Sequence, residues 1–318
     1  NIGVSAVIVK LLLPVILALF MNREAAKIVA AAIVLIGFGV AAWLLNKTQY
    51  ITPPKKPLAY TPRMQRLFAA TCLIAALAAL FLGSLGIPPY LIFAGIPYLA
   101  LAAGYLMQPV ERRVNLYFFN DARKVLEARK DLIKIGITGS YGKTSTKFIL
   151  AAILGEKYSV LPTPSSFNTP MGLTKVIRTQ LEPHHQVFIA EMGARHVGDI
   201  KELCDLVQPD YGVLTSVGEQ HLETMGTIET IANTKFELIE GLKPGGAAFF
   251  GADDGGWCDK LFARARCEKY RAGLGSGYLS MYAEDITAGP NGSRFTLSDG
   301  EGGRVQCETK LLGRHNIQ

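Results

Sequence analysis

The stretch Leu132–Thr146, LIKIGITGSYGKTST, decides the fold. Its first seven residues are typical of a short buried strand, and the residues from Lys143 onward are typical of a helix. A strand, a glycine-rich turn and a helix in this order surround an anion with backbone N–H groups and a helix N-terminus. The strict GxxxxGK[ST] pattern is not met, because Ile137 stands where its first glycine would be. The predicted phosphate-binding residues are Gly139, Ser140, Tyr141, Gly142, Lys143, Thr144 and Ser145.

Strand-like and helix-like stretches alternate over residues 131–251, which predicts an α/β fold with a mostly parallel sheet covered on both faces. Beyond about residue 270, stretches separated by Gly, Asn and Asp turns predict a small antiparallel extension of the same domain. The predicted strands are 132–138, 186–190, 211–217, 247–251, 278–288, 293–298 and 304–312, and the predicted helices are 143–156, 198–207 and 227–242.

Two polar residues follow strands of this predicted sheet. Glu191 ends the strand 186–190, and His221 follows the strand 211–217. The carboxyl ends of parallel strands share one rim with the phosphate loop, where a carboxylate suits Mg²⁺. Taken alone, His221 is more often a histidine of a surface loop, and Lys235 in the next helix is more often a solvated lysine.

The N-terminal third of the chain predicts a membrane region, residues 1–108. It contains four apolar runs of 18 to 20 residues, the length that a helix needs to cross a bilayer. An amphipathic linker helix is predicted at 109–130, and the α/β domain at 131–318. The four runs are 2–21, 28–45, 67–85 and 90–107.

The net charge of +7 belongs wholly to this apolar region, which has eight bases and one acid. The remaining residues have no net charge, which excludes a basic soluble domain built to bind nucleic acid. The loop 46–66 carries five bases and no acid. Positively charged loops stay in the cytoplasm, so we predict a multi-pass membrane protein whose α/β domain is cytoplasmic. Arg112 and Arg113 agree with this orientation, and Arg23 and Lys27 disagree mildly.

The five cysteines contain no CxxC pair. This spacing and the odd count disfavour a disulfide framework or a zinc ribbon. Reduced thiols in a cytosolic compartment are the simpler interpretation.

The chain contains six motifs whose order along the sequence indicates a protein family. They are TGSYGKTST, SSFNTPMG, EMGARHVGDI, EQHLETMG, NTKFELI and LLGRHNIQ. Over about 132–318 the chain resembles the central ATP-binding domain of the Mur ligases, the ATP-dependent amide-forming enzymes of peptidoglycan precursor synthesis. The EMGAR and HLExxG strings resemble the MurF branch, which adds D-alanyl-D-alanine.

The resemblance implies a role for each matching residue. Lys143 and the loop amides would hold the ATP phosphates, Thr144 and Glu191 one Mg²⁺, and His221 a second. Lys235 matches a lysine that is carbamylated in the family, and the carbamate helps to hold a metal. Asn168 and Thr169 fall in a loop that faces substrate and phosphate, and Asn316 matches an asparagine that contacts adenine. The implied catalytic residues are Lys143, Lys235 and His221.

The implied reaction proceeds through an acyl phosphate, because a free carboxylate does not react with an amine in water. The implied partners are a UDP-linked or lipid-linked muropeptide and an amine like D-alanyl-D-alanine. Three departures from the family are noted. Membrane runs replace its UDP-binding first domain, Ser216 stands where Asn is usual, and we expect the family's C-terminal domain to be missing after Gln318.

Other functions remain open at this point. A poly-γ-glutamate or amidation-type ligase belongs to the same superfamily, although one amidating branch carries a four-cysteine zinc ribbon that is absent here. A membrane transport ATPase or kinase would need an Asp-ended Walker B strand or an LSGGQ-like string, and neither is found. A scaffold that only senses nucleotide would not need Lys143, Glu191, His221 and Lys235 together.

Overall fold

The computed structural model describes residues 60–87, 92–165, 167–252, 256–274, 279–311, 313 and 317. The chain divides into two compact units, Asn1–Arg113 and Val114–Gln318. Element numbers below refer to the described residues in chain order.

Two long helices belong wholly or partly to the first unit: α1, Pro62–Ser84, and α2, which begins at Ile92 and runs to Ala128. Thr61 caps α1 by accepting a hydrogen bond from Met64 N (3.3 Å), and Pro62 fits the first helical position. Arg66 of α1 forms a bidentate ion pair with Glu111 of α2, at 2.8 and 2.9 Å.

Among the described residues, one helix rather than four is long and apolar enough to cross a membrane, and it is α1. The predicted runs 2–21 and 28–45 lie outside the described residues. The fourth run, 90–107, is interrupted by Pro97 and followed by charged sequence within the same helix.

The predicted boundary between a membrane region ending at 108 and a linker helix 109–130 differs from the structure. Helix α2 passes through this boundary, with Pro109 inside it. A proline inside a helix removes one hydrogen bond and kinks the helix without always ending it. The units divide at 113/114 because Ala122 and Leu126 of α2 are buried in the core of the second unit.

The second unit is built on a nine-stranded sheet in the order β2-β3-β1-β4-β5-β6-β7-β8-β9. The strands from β2 to β7 are parallel, and β8 and β9 are antiparallel to their neighbours. This confirms the predicted parallel sheet with an antiparallel extension. The strands are β1 Ile133–Thr138, β2 Val160–Pro162, β3 Val187–Glu191, β4 Tyr211–Leu214, β5 Ala247–Gly251, β6 Glu268–Leu274, β7 Met281–Gly289, β8 Gly292–Ser298 and β9 Arg304–Thr309.

Helices cover both faces of the parallel part of the sheet. Alternate residues of β3 belong to two clusters, since Val187 and Ile189 face α3 while Phe188 and Ala190 face the larger core of the other helices. The helices of this unit, besides the end of α2, are α3 Lys143–Gly155, α4 Pro170–Gln180, α5 Asp199–Val207, α6 Leu222–Met225, α7 Ile228–Glu240 and α8 Trp257–Arg264.

Five elements of this unit were not predicted from sequence: β2, α4, α6, α8 and β6. Strand β2 has three residues, too few for a periodic pattern. Helix α4 begins with Pro170 directly after the N-cap Thr169, which is a signal for the start of a helix. Its exposed face is polar, so the apolar periodicity of this segment is hard to recognise in the sequence. Strand β6 is parallel to β5, so the antiparallel extension begins at β8 and not near residue 270.

Strand β1 is the switch point of the sheet, with β3 on one side and β4 on the other. In open α/β sheets, ligands bind beyond the carboxyl ends of the strands where the strand order reverses. Three segments therefore meet at the binding edge: the loop after Thr138, the residue Glu191, and the loop after Leu214.

Candidate nucleotide-binding site

The phosphate loop connects the end of β1 to the start of α3. Gly139 has φ 152° and Gly142, the N-cap of α3, has φ 81°, and both values disfavour residues with a side chain. A Cβ atom on Gly139 would also collide with the Thr215 hydroxyl. The two glycines are thus needed to bring the turn close to β4 and to open the N-terminus of α3.

The loop is held from the side of β4. Ser140 N donates to Ser216 O (2.8 Å), and Tyr141 N donates to Ser216 Oγ (3.0 Å). Thr215 Oγ1 donates to Tyr141 O (2.6 Å). Ser216, the departure from the family pattern, therefore serves as an anchor of the phosphate loop.

Lys143 folds back over the loop. Its ammonium donates to Gly139 O (2.6 Å) and Ser140 O (3.3 Å). Burial lowers the pKa of Lys143, and the negative charge of Glu191 acts in the opposite sense. A half-buried ammonium among carbonyl oxygens is suited to a phosphate, which offers it stronger acceptors.

Glu191 is the buried centre of the site, with 2% of its surface exposed. Its Oε2 accepts from Thr144 Oγ1 (3.0 Å) and from Lys147 Nζ (2.9 Å), and its Oε1 accepts a long hydrogen bond from Asn168 Nδ2 (3.4 Å). Its backbone N–H donates to Thr163 Oγ1 (3.1 Å). The structure thus brings together Thr144, Glu191 and Asn168, which the sequence predicted separately.

The segments 163–165 and 167–169, which follow β2, reach the site. Lys147 Nζ donates to Ser165 O (2.6 Å), and Gly193 N donates to Asn168 O (3.0 Å). The hydroxyl of Thr169 caps α4 by accepting from Gly172 N (3.3 Å). Asn168 faces Glu191, whereas the Thr169 side chain has a helix-capping role here.

His221 follows the segment 218–220. Its own backbone has a left-handed conformation, with φ 60°. Its segment is joined to the phosphate loop, because Ser140 and Gly218 exchange two hydrogen bonds. The His221 Nδ1 atom lies 4.0 Å from Glu223 Oε1. Among the described residues, no hydrogen bond joins its imidazole to Thr144 or Glu191.

Lys235 of α7 is buried, with 3% of its surface exposed. Burial, together with the positive charge of Lys143, lowers its pKa to about 7. Within the part of the chain that the structure describes, its ammonium has no hydrogen bond and no ion pair. This is a lysine whose neutral amine is populated near neutral pH, rather than a solvated lysine.

Sequence reasoning missed Lys147, whose side chain is fully buried. It lies three residues after Thr144 and four after Lys143, so helical spacing places it on the face that looks toward the loop. That spacing was the available signal. Ser145 is exposed on α3, and Asn316 lies outside the described residues.

The Thr144 hydroxyl and the Glu191 carboxylate are hard oxygen ligands that meet at the binding edge, and they fit Mg²⁺. The described residues contain no group of three or more His, Cys, Asp or Glu able to hold a metal. An ion at this edge would therefore need oxygen ligands from a nucleotide or water as well.

Residues 137–318 match the Mur ligase middle domain, more than half of the chain. The chain belongs to the Mur ligase family.

Several similar curated proteins carry the name UDP-N-acetylmuramoyl-tripeptide–D-alanyl-D-alanine ligase. The Bacillus subtilis protein is 33% identical over 184 residues, which cover 58% of this chain and 38% of the relative. The Mycobacterium tuberculosis H37Rv protein is 43% identical over 188 residues, which cover 58% of this chain and 35% of the relative. The matched part is thus well under half of each relative.

Solved structures show the same likeness. MurF ligase from Thermotoga maritima, in complex with ADP, is 30% identical with a TM-score of 0.55, over 61% of this chain and 44% of that one. MurF from Acinetobacter baumannii is 25% identical with a TM-score of 0.59, over 64% of this chain and 44% of that one.

Proposed function

We propose that this chain is the ATP-binding part of a Mur-type amide ligase of peptidoglycan precursor synthesis. The proposed reaction joins a UDP-linked or lipid-linked muramoyl peptide to an amine such as D-alanyl-D-alanine. The named relatives in Bacillus and Mycobacterium support this choice of substrates.

One observation carries the proposal: the Lys143 loop and the Thr144–Glu191 pair meet where the sheet reverses its order. Lys235 of α7 is buried, and it is close enough to this loop for the positive charge of Lys143 to lower its pKa. The loop and the pair supply the fixed cation and the oxygen ligands for Mg²⁺ that phosphoryl transfer uses. The buried lysine is an amine that a scaffold for nucleotide binding alone would not need.

Each group of this chain has a task in the proposed reaction. The loop amides and Lys143 orient the γ-phosphate and neutralise the charge that develops on it. Thr144 and Glu191 would hold Mg²⁺, which supplies charge neutralisation at the transferred phosphoryl group. Phosphoryl transfer to the substrate carboxylate forms an acyl phosphate, the amine attacks its carbonyl carbon, and phosphate leaves.

Lys235 is proposed to react with CO₂ through its neutral amine. The nitrogen attacks the carbon of CO₂, a proton is released, and an ammonium site becomes a carbamate anion. The pKa of about 7 supports this reaction, since an ammonium has no lone pair to donate. The two remaining candidates are assigned by family likeness, His221 to a second metal and Asn316 to the adenine.

We also propose that residues 1–108 anchor the enzyme in the cell membrane as a multi-pass region, with the α/β domain in the cytoplasm. The Arg66–Glu111 ion pair supports this arrangement. The segments 67–84 and 92–110 contain no charged residue. From Arg66 to Ser84, α1 rises about 27 Å, close to the thickness of a bilayer core.

The complete protein tests the proposal in a coupled assay of ADP release. We expect ADP to form when ATP, UDP-N-acetylmuramoyl-tripeptide and D-alanyl-D-alanine are all present, with one amide per ADP. A lipid-linked muropeptide and a γ-glutamyl acceptor are the comparison substrates. Steady ADP release that requires no amine would identify an ATPase and contradict the ligase.

A further inference from the structure

The ion pair of Lys147 and Glu191 has no task in the reaction as proposed above. Both side chains are removed from solvent, with 0% and 2% exposed, and Nζ lies 2.9 Å from Oε2. The same oxygen accepts the hydroxyl of Thr144. An ammonium group therefore already neutralises the one buried carboxylate at the binding edge.

The ammonium of Lys147 is held in place from two directions. Besides Glu191 it donates to Ser165 O at 2.6 Å, in the segment 163–165. A buried ammonium with two short acceptors cannot turn away into water, and leaving either charge unpaired would be costly. The fold therefore holds the Lys147–Glu191 ion pair in place.

Without a nucleotide, the charges at the site do not attract a divalent cation. Lys143 and Lys147 are cations, and Thr144 is neutral. Glu191 is the one carboxylate among these described groups, and Lys235 adds no negative charge before it is carbamylated. The residues that the structure describes add no further cluster of acidic or histidine ligands. The negatively charged phosphate oxygens of a bound nucleotide would reverse this charge balance and attract the cation.

We propose that Lys147 is a positioning residue that neutralises Glu191 and so makes divalent-cation binding depend on a bound nucleotide. This inference rests on the proposed function, because it assumes that Thr144 and Glu191 hold the cation. It goes beyond that function by assigning a role in the order of binding to a buried lysine that donates to Glu191 and Ser165.

The test measures Mn²⁺ binding by electron paramagnetic resonance on the full chain in detergent, with and without ADP. The wild type should bind Mn²⁺ with ADP and not without it. Lys147→Met should bind Mn²⁺ without ADP at least tenfold more tightly than the wild type does. Lys147→Arg, which keeps the charge, should behave as the wild type, and Lys147→Met/Glu191→Gln should lose the new binding.

The outcomes separate the two proposals. Absence of Mn²⁺ binding to the wild type with ADP would contradict the proposed nucleotide and metal site itself. Normal binding with ADP, combined with unchanged nucleotide dependence in Lys147→Met, would overturn the role of Lys147 alone. Should Lys147→Met fail to fold by circular dichroism, Lys147→Gln keeps a hydrogen-bond donor without the charge, and the same result is expected of it.

Discussion

Ser140 and Gly218 are joined by two reciprocal hydrogen bonds. The Ser140 hydroxyl donates to Gly218 O at 2.9 Å and accepts from Gly218 N at 2.8 Å. Ser140 is buried within the phosphate loop, and Gly218 begins the segment that leads to His221. One hydroxyl therefore sets the distance between two parts of the candidate site.

Replacement of Ser140 by alanine should cost about 1–3 kcal/mol of unfolding free energy, because both backbone groups of Gly218 lose their partner. Activity should fall at least about tenfold, since the His221 segment is no longer held to the loop. Urea unfolding and kcat measure the two effects. Ser293→Ala is the matched control, a buried serine bonded to Leu311 O at 3.1 Å away from the site. Equal loss of stability in both variants with full activity in Ser140→Ala would contradict the prediction.

Lys143→Ala should lower ATP turnover by at least about a hundredfold, because the γ-phosphate loses a fixed cation during transfer. ADP release coupled to ligation, in the complete protein, measures the loss. Lys157→Ala removes an exposed lysine just beyond the other end of α3 and should be fully active. Unchanged turnover in Lys143→Ala would exclude this loop as the phosphate site.

Lys235→Ala should be inactive and should regain part of its activity in short carboxylates such as formate or acetate, which can replace the carbamate anion. Lys235→Arg should stay inactive, because a guanidinium forms no carbamate. A fully active Lys235→Arg enzyme would show that a positive charge is sufficient there, and the carbamate would have to be abandoned.

The pKa of Lys235 also predicts how stability depends on pH. Burial lowers it from 10.5 to about 7, so between these values the unfolded chain binds more protons than the folded chain. The unmodified side chain therefore makes the free energy of unfolding rise with pH across this window, and it destabilises the fold most below pH 7. The difference in unfolding free energy between the wild type and Lys235→Met, in buffers freed of CO₂, isolates this group. A difference that does not change between pH 6.5 and 10 would contradict the lowered pKa.

The loop 46–66 should be cytoplasmic, because its five bases favour that side of the membrane. A single cysteine placed in this loop, in a background whose five native cysteines are replaced by alanine, should not react with an impermeant maleimide added to intact cells. It should react once the membrane is permeabilised. Labelling of intact cells would reverse the topology, and a cysteine in the segment 86–89 is the control expected to react from outside.

Much of the α/β unit could be predicted because its signals are local. Strand β5 was predicted with its observed bounds, and the helices α3, α5 and α7 to within a few residues. The predicted boundary at 108 marks a change in composition, and the helix continues across it to Ala128. Hydropathy depends on whether a helix lies in an apolar or a polar environment. It does not indicate the residue at which the backbone hydrogen bonds of the helix end.

The sequence by itself determined the strand, glycine turn and helix around Lys143, since such a turn needs only its own residues. It also determined the family, because the six motifs and their order along the chain can be recognised without knowing which residues are in contact. Only the tertiary structure decided that Lys147 pairs with Glu191, 44 residues away, and that the Lys235 side chain is buried. Pairing and burial depend on which strands become neighbours, and the place of β1 between β3 and β4 is set by packing of the whole sheet.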